Sequence, residues 1–98
     1  MNPLLIQALH LVSCLLGIVS PNFRMVSISN NNGKCHILVI LEQPIEEDLE
    51  EIEDLITEFE AVQNEDIDFD VETKISNEDI ILSPFNPDEI VVFRRKEY

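Results

Sequence analysis

The sequence predicts an α+β domain: a four-stranded, mainly antiparallel sheet with two helices packed on one face. Three stretches predict it. Residues 44–63, PIEEDLEEIEDLITEFEAVQ, repeat apolar side chains at gaps of three and four, the period of a helix. Residues 67–76, IDFDVETKIS, alternate apolar and charged side chains, the period of a half-buried strand. Residues 23–42 hold two β-branched runs around Asn32-Gly33, a strong hairpin signal. The predicted order is helix, hairpin, helix, strand, loop, strand. At 98 residues this is one domain, residues 1–98, with room for a single modest core.

The first element is read from residues 4–19, LLIQALHLVSCLLGIV. It is too short for a transmembrane span, and no positive charge precedes it as in a signal peptide. Its polar residues recur helically, at Gln7, His10, Ser13 or Cys14, and Gly17. The reading is a mostly buried helix with one narrow polar stripe, stopped by Ser20-Pro21-Asn22. His10 has no second ligand at metal spacing and reads as a stripe residue.

Strands are expected over residues 23–29, FRMVSIS, and 34–42, KCHILVILE, joined through Asn30–Gly33. The run Ile37–Leu41 is apolar at every position, so its strand is expected at the centre of the sheet, covered on both faces. His36 is expected to be a core or edge histidine. In the second helix Ile45, Leu49, Ile52, Leu55, Ile56, Phe59 and Val62 share a face, and Pro44 suits its first turn. Glu47, Glu50, Asp54 and Glu58 lie opposite that face, with no Lys or Arg among them. Like-charged pairs such as Glu47–Glu51 and Glu50–Asp54 each cost about 0.2–0.5 kcal/mol. Glu46, Glu47 and Asp48 regain something from the helix dipole.

In the third strand Ile67, Phe69, Val71 and Ile75 are expected to face one way, and Asp68, Asp70, Glu72 and Lys74 the other. Asp66, Asp68 and Asp70 mimic a metal loop, but Val71 stands where a calcium loop of this kind needs glycine. No metal or other cofactor is expected. Residues 76–89 read as a loop with Ile80, Ile81 and Leu82 against the core. Residues 90–95, IVVFRR, form the last strand. Arg94, Arg95 and Lys96 are half of the six Lys and Arg, and are expected to fold against the chain's own carboxylates.

The net charge is −14. That argues against direct binding to nucleic acid or an anionic membrane, and favours a basic protein partner reached by electrostatic steering. The two cysteines, Cys14 and Cys35, sit in apolar surroundings at no metal-ligand spacing. They read as buried free thiols, in keeping with the cytoplasm. No nucleophile elbow, phosphate loop, dinucleotide fingerprint or zinc set is present, and an enzyme is not expected.

The stretches LLGIVSPNFRMVSI (residues 15–28), EEDLEEIEDLITEFEA (46–61) and VVFRRKE (91–97), with the size, charge and layout of the whole chain, resemble the small acidic immunity proteins of bacterial toxin systems, of the colicin and contact-dependent growth-inhibition kinds. The resemblance implies a cytoplasmic protein that binds and neutralises a cognate toxin domain, often a tRNase or DNase. It carries no residue-level motif, so the candidate contacts come from the charge pattern. They are Glu47, Glu50, Glu51, Asp54 and Glu58 on the helix, then Asp68, Asp70 and Glu72 on the strand. Nuclease sites are lined with cations that hold phosphate, and a rigid row of carboxylates can occupy them. Two other classes stay open: an acidic adaptor, binding a basic protein or dimerising through the apolar first helix, and an enzyme or metal binder.

Overall fold

The computed structural model describes residues 3–62, 68–80 and 88–97, with the side chain of Asn31 outside that set. Its elements run α1 (Pro3–Leu15), β1 (Phe23–Asn31), β2 (Lys34–Leu41), α2 (Glu46–Ala61), β3 (Phe69–Ile75) and β4 (Glu89–Arg94). The sheet order is β3-β2-β1-β4. β1 pairs antiparallel with both β2 and β4, and β2 pairs parallel with β3. The fold is α+β with a mixed sheet. The parallel step needs a crossover, and α2 supplies it.

The hairpin turns where Asn-Gly predicts. Asn32 and Gly33 take φ of 54° and 82°, the left-handed pair of a type I′ turn, whose twist suits the flanking strands. The register that follows puts Ile28 opposite Ile37 and Val26 opposite Val39. These four are fully buried, together with Leu41 and Phe23. They join Leu4, Ala8, Leu11 and Leu15 of α1 and Ile52, Leu55 and Phe59 of α2 in one core cluster, so both helices cover the same face of the sheet. β1 and β2 are the central strands. Ile40 on the opposite face is also buried and Leu38 half-buried, as an all-apolar central strand requires. Phe69 of β3 meets Phe59 edge-on, ring centroids 5.1 Å apart, which fixes the edge strand under α2.

Element ends differ from the sequence reading where backbone conformation overrides periodicity. α1 ends at Leu15, four residues before the apolar run does. Gly17 takes φ of 83°, and Ile18 N–H bonds the Leu15 carbonyl at 3.0 Å. A glycine in this left-handed conformation closes a helix. Pro44 stands outside α2, just before the N-cap residue Ile45, whose extended backbone starts the helix without a side-chain cap. Ile75 is exposed, and so are Ile45, Leu49 and Val62 of the apolar stripe of α2, whose buried part is Ile52, Leu55 and Phe59. Ile67, Ile81 and Leu82 lie outside the described residues, and Ile80 is half-buried.

Cys14 and Cys35 are buried free thiols. Burial pushes the Cys35 thiol up to about 11, with the Asp70 charge adding to it. No helix among the described residues is long and apolar enough to cross a membrane.

Candidate partner-binding surface

α2 is anchored from below and from its start. Ile52, Leu55 and Phe59 are buried in the core. Asp48, read as a dipole-facing acid, is 5% exposed. Its Oδ2 accepts from Asn22 Nδ2 at 3.0 Å. Asn22 Nδ2 also donates to the Gln43 carbonyl at 2.8 Å, and Asn22 Oδ1 accepts from Gln43 N–H at 2.9 Å. One asparagine thus ties the entry to β1 to the β2–α2 junction. No local pattern marks it, since Asn22 and Asp48 are 26 residues apart.

With its inner face held, α2 presents the others outward. Glu47, Glu50, Asp54 and Glu58 are exposed and Glu51 is half-buried. None of the five has an ion-pair partner among the described residues. The last turn has no basic residue. This is a row of carboxylates along one helix, with no cation paired to it among the described residues.

The strand acids behave differently. Asp70 and Glu72 alternate with Phe69 and Val71, which pack on the core. They therefore project from the sheet face opposite the helices. There they flank His36, which is opposite Asp70 in register. His36 Nδ1 bonds Asp70, and His36 Nε2 lies 3.2 Å from Glu72 Oε1. Lys34 Nζ lies 3.5 Å from the other Asp70 oxygen. The hydrogen bond from His36 holds the Asp70 carboxyl below its ordinary range, with the His36 and Lys34 charges helping. Asp68 is exposed at the entry to β3, its carbonyl accepting from Cys35 N–H at 2.9 Å.

The eight candidate acids therefore occupy two faces. Five stand on the helical layer, Asp70 and Glu72 stand on the open face of the sheet, and Asp68 is exposed just before β3. The first set has no ion-pair partner among the described residues; in the second, Asp70 is paired with Lys34 and bonded by His36, which also reaches Glu72. Among the described residues no group of His, Cys, Asp and Glu is arranged to hold a metal ion.

A second charged cluster bears out for Arg95 the expectation that the basic terminus folds against the chain's own carboxylates, and adds Arg24, which the sequence reading missed. Arg24, 4% exposed, sits at the β1 bulge. Its Nε and Nη2 donate to both Glu97 oxygens at 2.8 and 2.7 Å. Its Nη1 donates to the Ser76 and Glu78 carbonyls at 2.7 and 2.8 Å. Arg95 adds bonds to Glu42 and Glu97 at 3.0 and 2.8 Å. The hydrogen bond from Arg24, then that from Arg95, holds Glu97 down at about 2. Every donor of Arg24 that faces the protein is used, so the cluster is a clasp between chain segments and offers no free cation.

A family model described as MafI2 immunity protein matches residues 5–97. The chain belongs to the MafI2 immunity protein family. That match runs through every described element, from α1 to the Arg24–Glu97 clasp. Family membership supports a toxin-neutralising immunity function, and with it a cognate toxin as partner. A comparison with curated proteins finds no match.

Proposed function

We propose that this MafI2-family protein neutralises a toxin nuclease by laying the outer face of α2 over the cationic site that holds the nucleic acid. The observation that carries the reading is the row Glu47, Glu50, Glu51, Asp54 and Glu58: outward-facing, held by a buried inner face, and without a cation among the described residues. Unpaired carboxylates on a rigid support lose little entropy on binding and match phosphate-binding Lys and Arg. Close charge pairs of this kind across an interface couple by about 1.5–7 kcal/mol. The net charge of −14 adds long-range steering. Asp68, Asp70 and Glu72 are the secondary surface, engaged by a toxin that wraps the β3 edge. The activity is binding, without catalysis or cofactor, and its place is the cytoplasm of the toxin-producing cell.

The test is inhibition of the cognate toxin domain, assayed on tRNA and on DNA and titrated with this protein. One equivalent of wild type abolishes cleavage, and Glu47→Lys with Asp54→Lys raises the amount needed by at least 100-fold while circular dichroism stays unchanged. Affinity falls steeply above about 0.1–0.2 M salt. Undiminished inhibition by the double reversal removes α2 as the contact surface. A cognate domain that degrades no nucleic acid removes the nuclease.

A further inference from the structure

We infer that this protein self-associates through the outer flank of α1, in a two-fold pair that leaves α2 free. α1 carries no Asp, Glu, Lys or Arg from Pro3 to Leu15, on a chain whose net charge is −14. Leu5, Leu9, Val12 and Leu16 are nevertheless exposed, Leu9 at 54% and Leu16 at 77%, with Ile6 beside them. Their gaps of four, three and four are the spacing of a helix–helix seam. The same gaps read identically in both directions. An antiparallel pair across a two-fold axis therefore sets Leu9 against Val12 and Leu5 against Leu16, which is the self-complementarity a symmetric dimer needs.

The seam also has a receiving groove. A space of about 300 Å³ opens beside Leu16, walled by Val12, Leu15 and Gly17 on one side and by Val19, Val92 and Phe93 on the other. Nothing lies within 4 Å of where a Gly17 Cβ would stand. In the antiparallel pair this groove takes Leu5 of the second copy. The five exposed apolar residues present on the order of 500 Å² per chain, so a pair buries about 1,000 Å², the lower bound of a specific interface.

Charge selects a second copy over the toxin as occupant. A cationic partner gains nothing from an uncharged stripe, whereas two copies of an acidic protein can meet closely only where no carboxylate intervenes. Cys14 packs in the same core cluster as Ile52, Leu55 and Phe59 of α2, and Glu58 adds to the upward shift that burial gives its thiol. That places α2 on the Cys14 flank of α1, roughly opposite the stripe at 100° per residue. Pairing through the stripe thus keeps both α2 surfaces apart and exposed.

Sedimentation equilibrium of the full chain tests this. The expected result is a reversible monomer–dimer equilibrium with a dissociation constant of about 1–100 μM, as a small apolar interface gives. Dimerisation strengthens with salt, because screening relieves repulsion between like-charged copies; toxin binding weakens under the same change. Leu9→Glu with Leu16→Glu leaves the melting temperature within about 3 °C of wild type, gives monomer throughout, and still inhibits the toxin. A wild-type mass of one chain at all concentrations to 500 μM overturns the inference, as does a double variant that still dimerises.

Discussion

Replacing Arg24 with methionine tests the clasp that joins β1 to the chain after β3 and to the end of β4. Methionine keeps most of the buried stem and removes the guanidinium. Four hydrogen bonds of 2.7–2.8 Å are lost, two to Glu97 and two to the Ser76 and Glu78 carbonyls. Breaking a fully buried pair costs about 3–5 kcal/mol. Here the guanidinium borders a polar cleft of about 580 Å³ lined by Glu42, Asn77, Asp79, Arg95 and Lys96. Water from that cleft can satisfy the two carbonyls, and Glu97 is left beside Arg95. The expected loss is therefore about 2–3 kcal/mol, and no credit is taken for the exposed carboxylate. For a chain of this size that lowers the melting temperature by roughly 8–24 °C. Arg24→Lys should recover less than half of the loss, since one ammonium cannot serve a bidentate carboxylate and two carbonyls at once. The assay is urea unfolding followed by circular dichroism, with the melt as a second probe. An Arg24→Met variant within 0.5 kcal/mol of wild type would refute the claim that this network holds the fold.

Other perturbations follow from single sites. Glu97 titrates at about 2 in the fold against 4.5 ordinarily. The unfolded chain takes up its proton first, so the contribution of this group is complete above pH 4.5 and lost as pH falls toward 2. Glu97→Gln should therefore lower stability at pH 7 and flatten its decline between pH 4.5 and 2, measured by urea titration at each pH; an unchanged slope there argues that the clasp does not form in solution. Gly33→Ala places a Cβ at φ 82° in the hairpin turn and should cost about 1–2 kcal/mol in thermal unfolding, whereas a neutral result would mean that the turn relaxes.

Much of the architecture is legible in the sequence because it rests on local chemistry. Asn32-Gly33 can adopt the left-handed turn that a tight hairpin requires, and the two β-branched runs beside it supply the strands. Period 3.6 in residues 44–63 picks out Ile52, Leu55 and Phe59 as core residues, although Ile45, Leu49 and Val62 of the same stripe are exposed, and period 2 after it picks out Phe69 and Val71 but not Ile75. The end of α1 was misjudged because apolar periodicity continues to Val19, while the left-handed backbone at Gly17 stops the helix first. The acids of α2 could be picked out because charge and periodicity coincide on one element.

What the sequence by itself determined was therefore the set of elements, the middle of their inner faces and the excess of carboxylates. Tertiary structure decided which carboxylates stay unpaired. Asp48 resembles its neighbours in sequence, yet it is buried on Asn22. Asp70 and Glu72 resemble the helix acids, yet the β2–β3 register gives them His36 and Lys34. Glu97 is drawn out of the solvated set by Arg24, 73 residues away. Each of these pairings joins segments distant along the chain. Their geometry is set by strand order and register, whereas periodicity reports only which side of its own element a residue occupies.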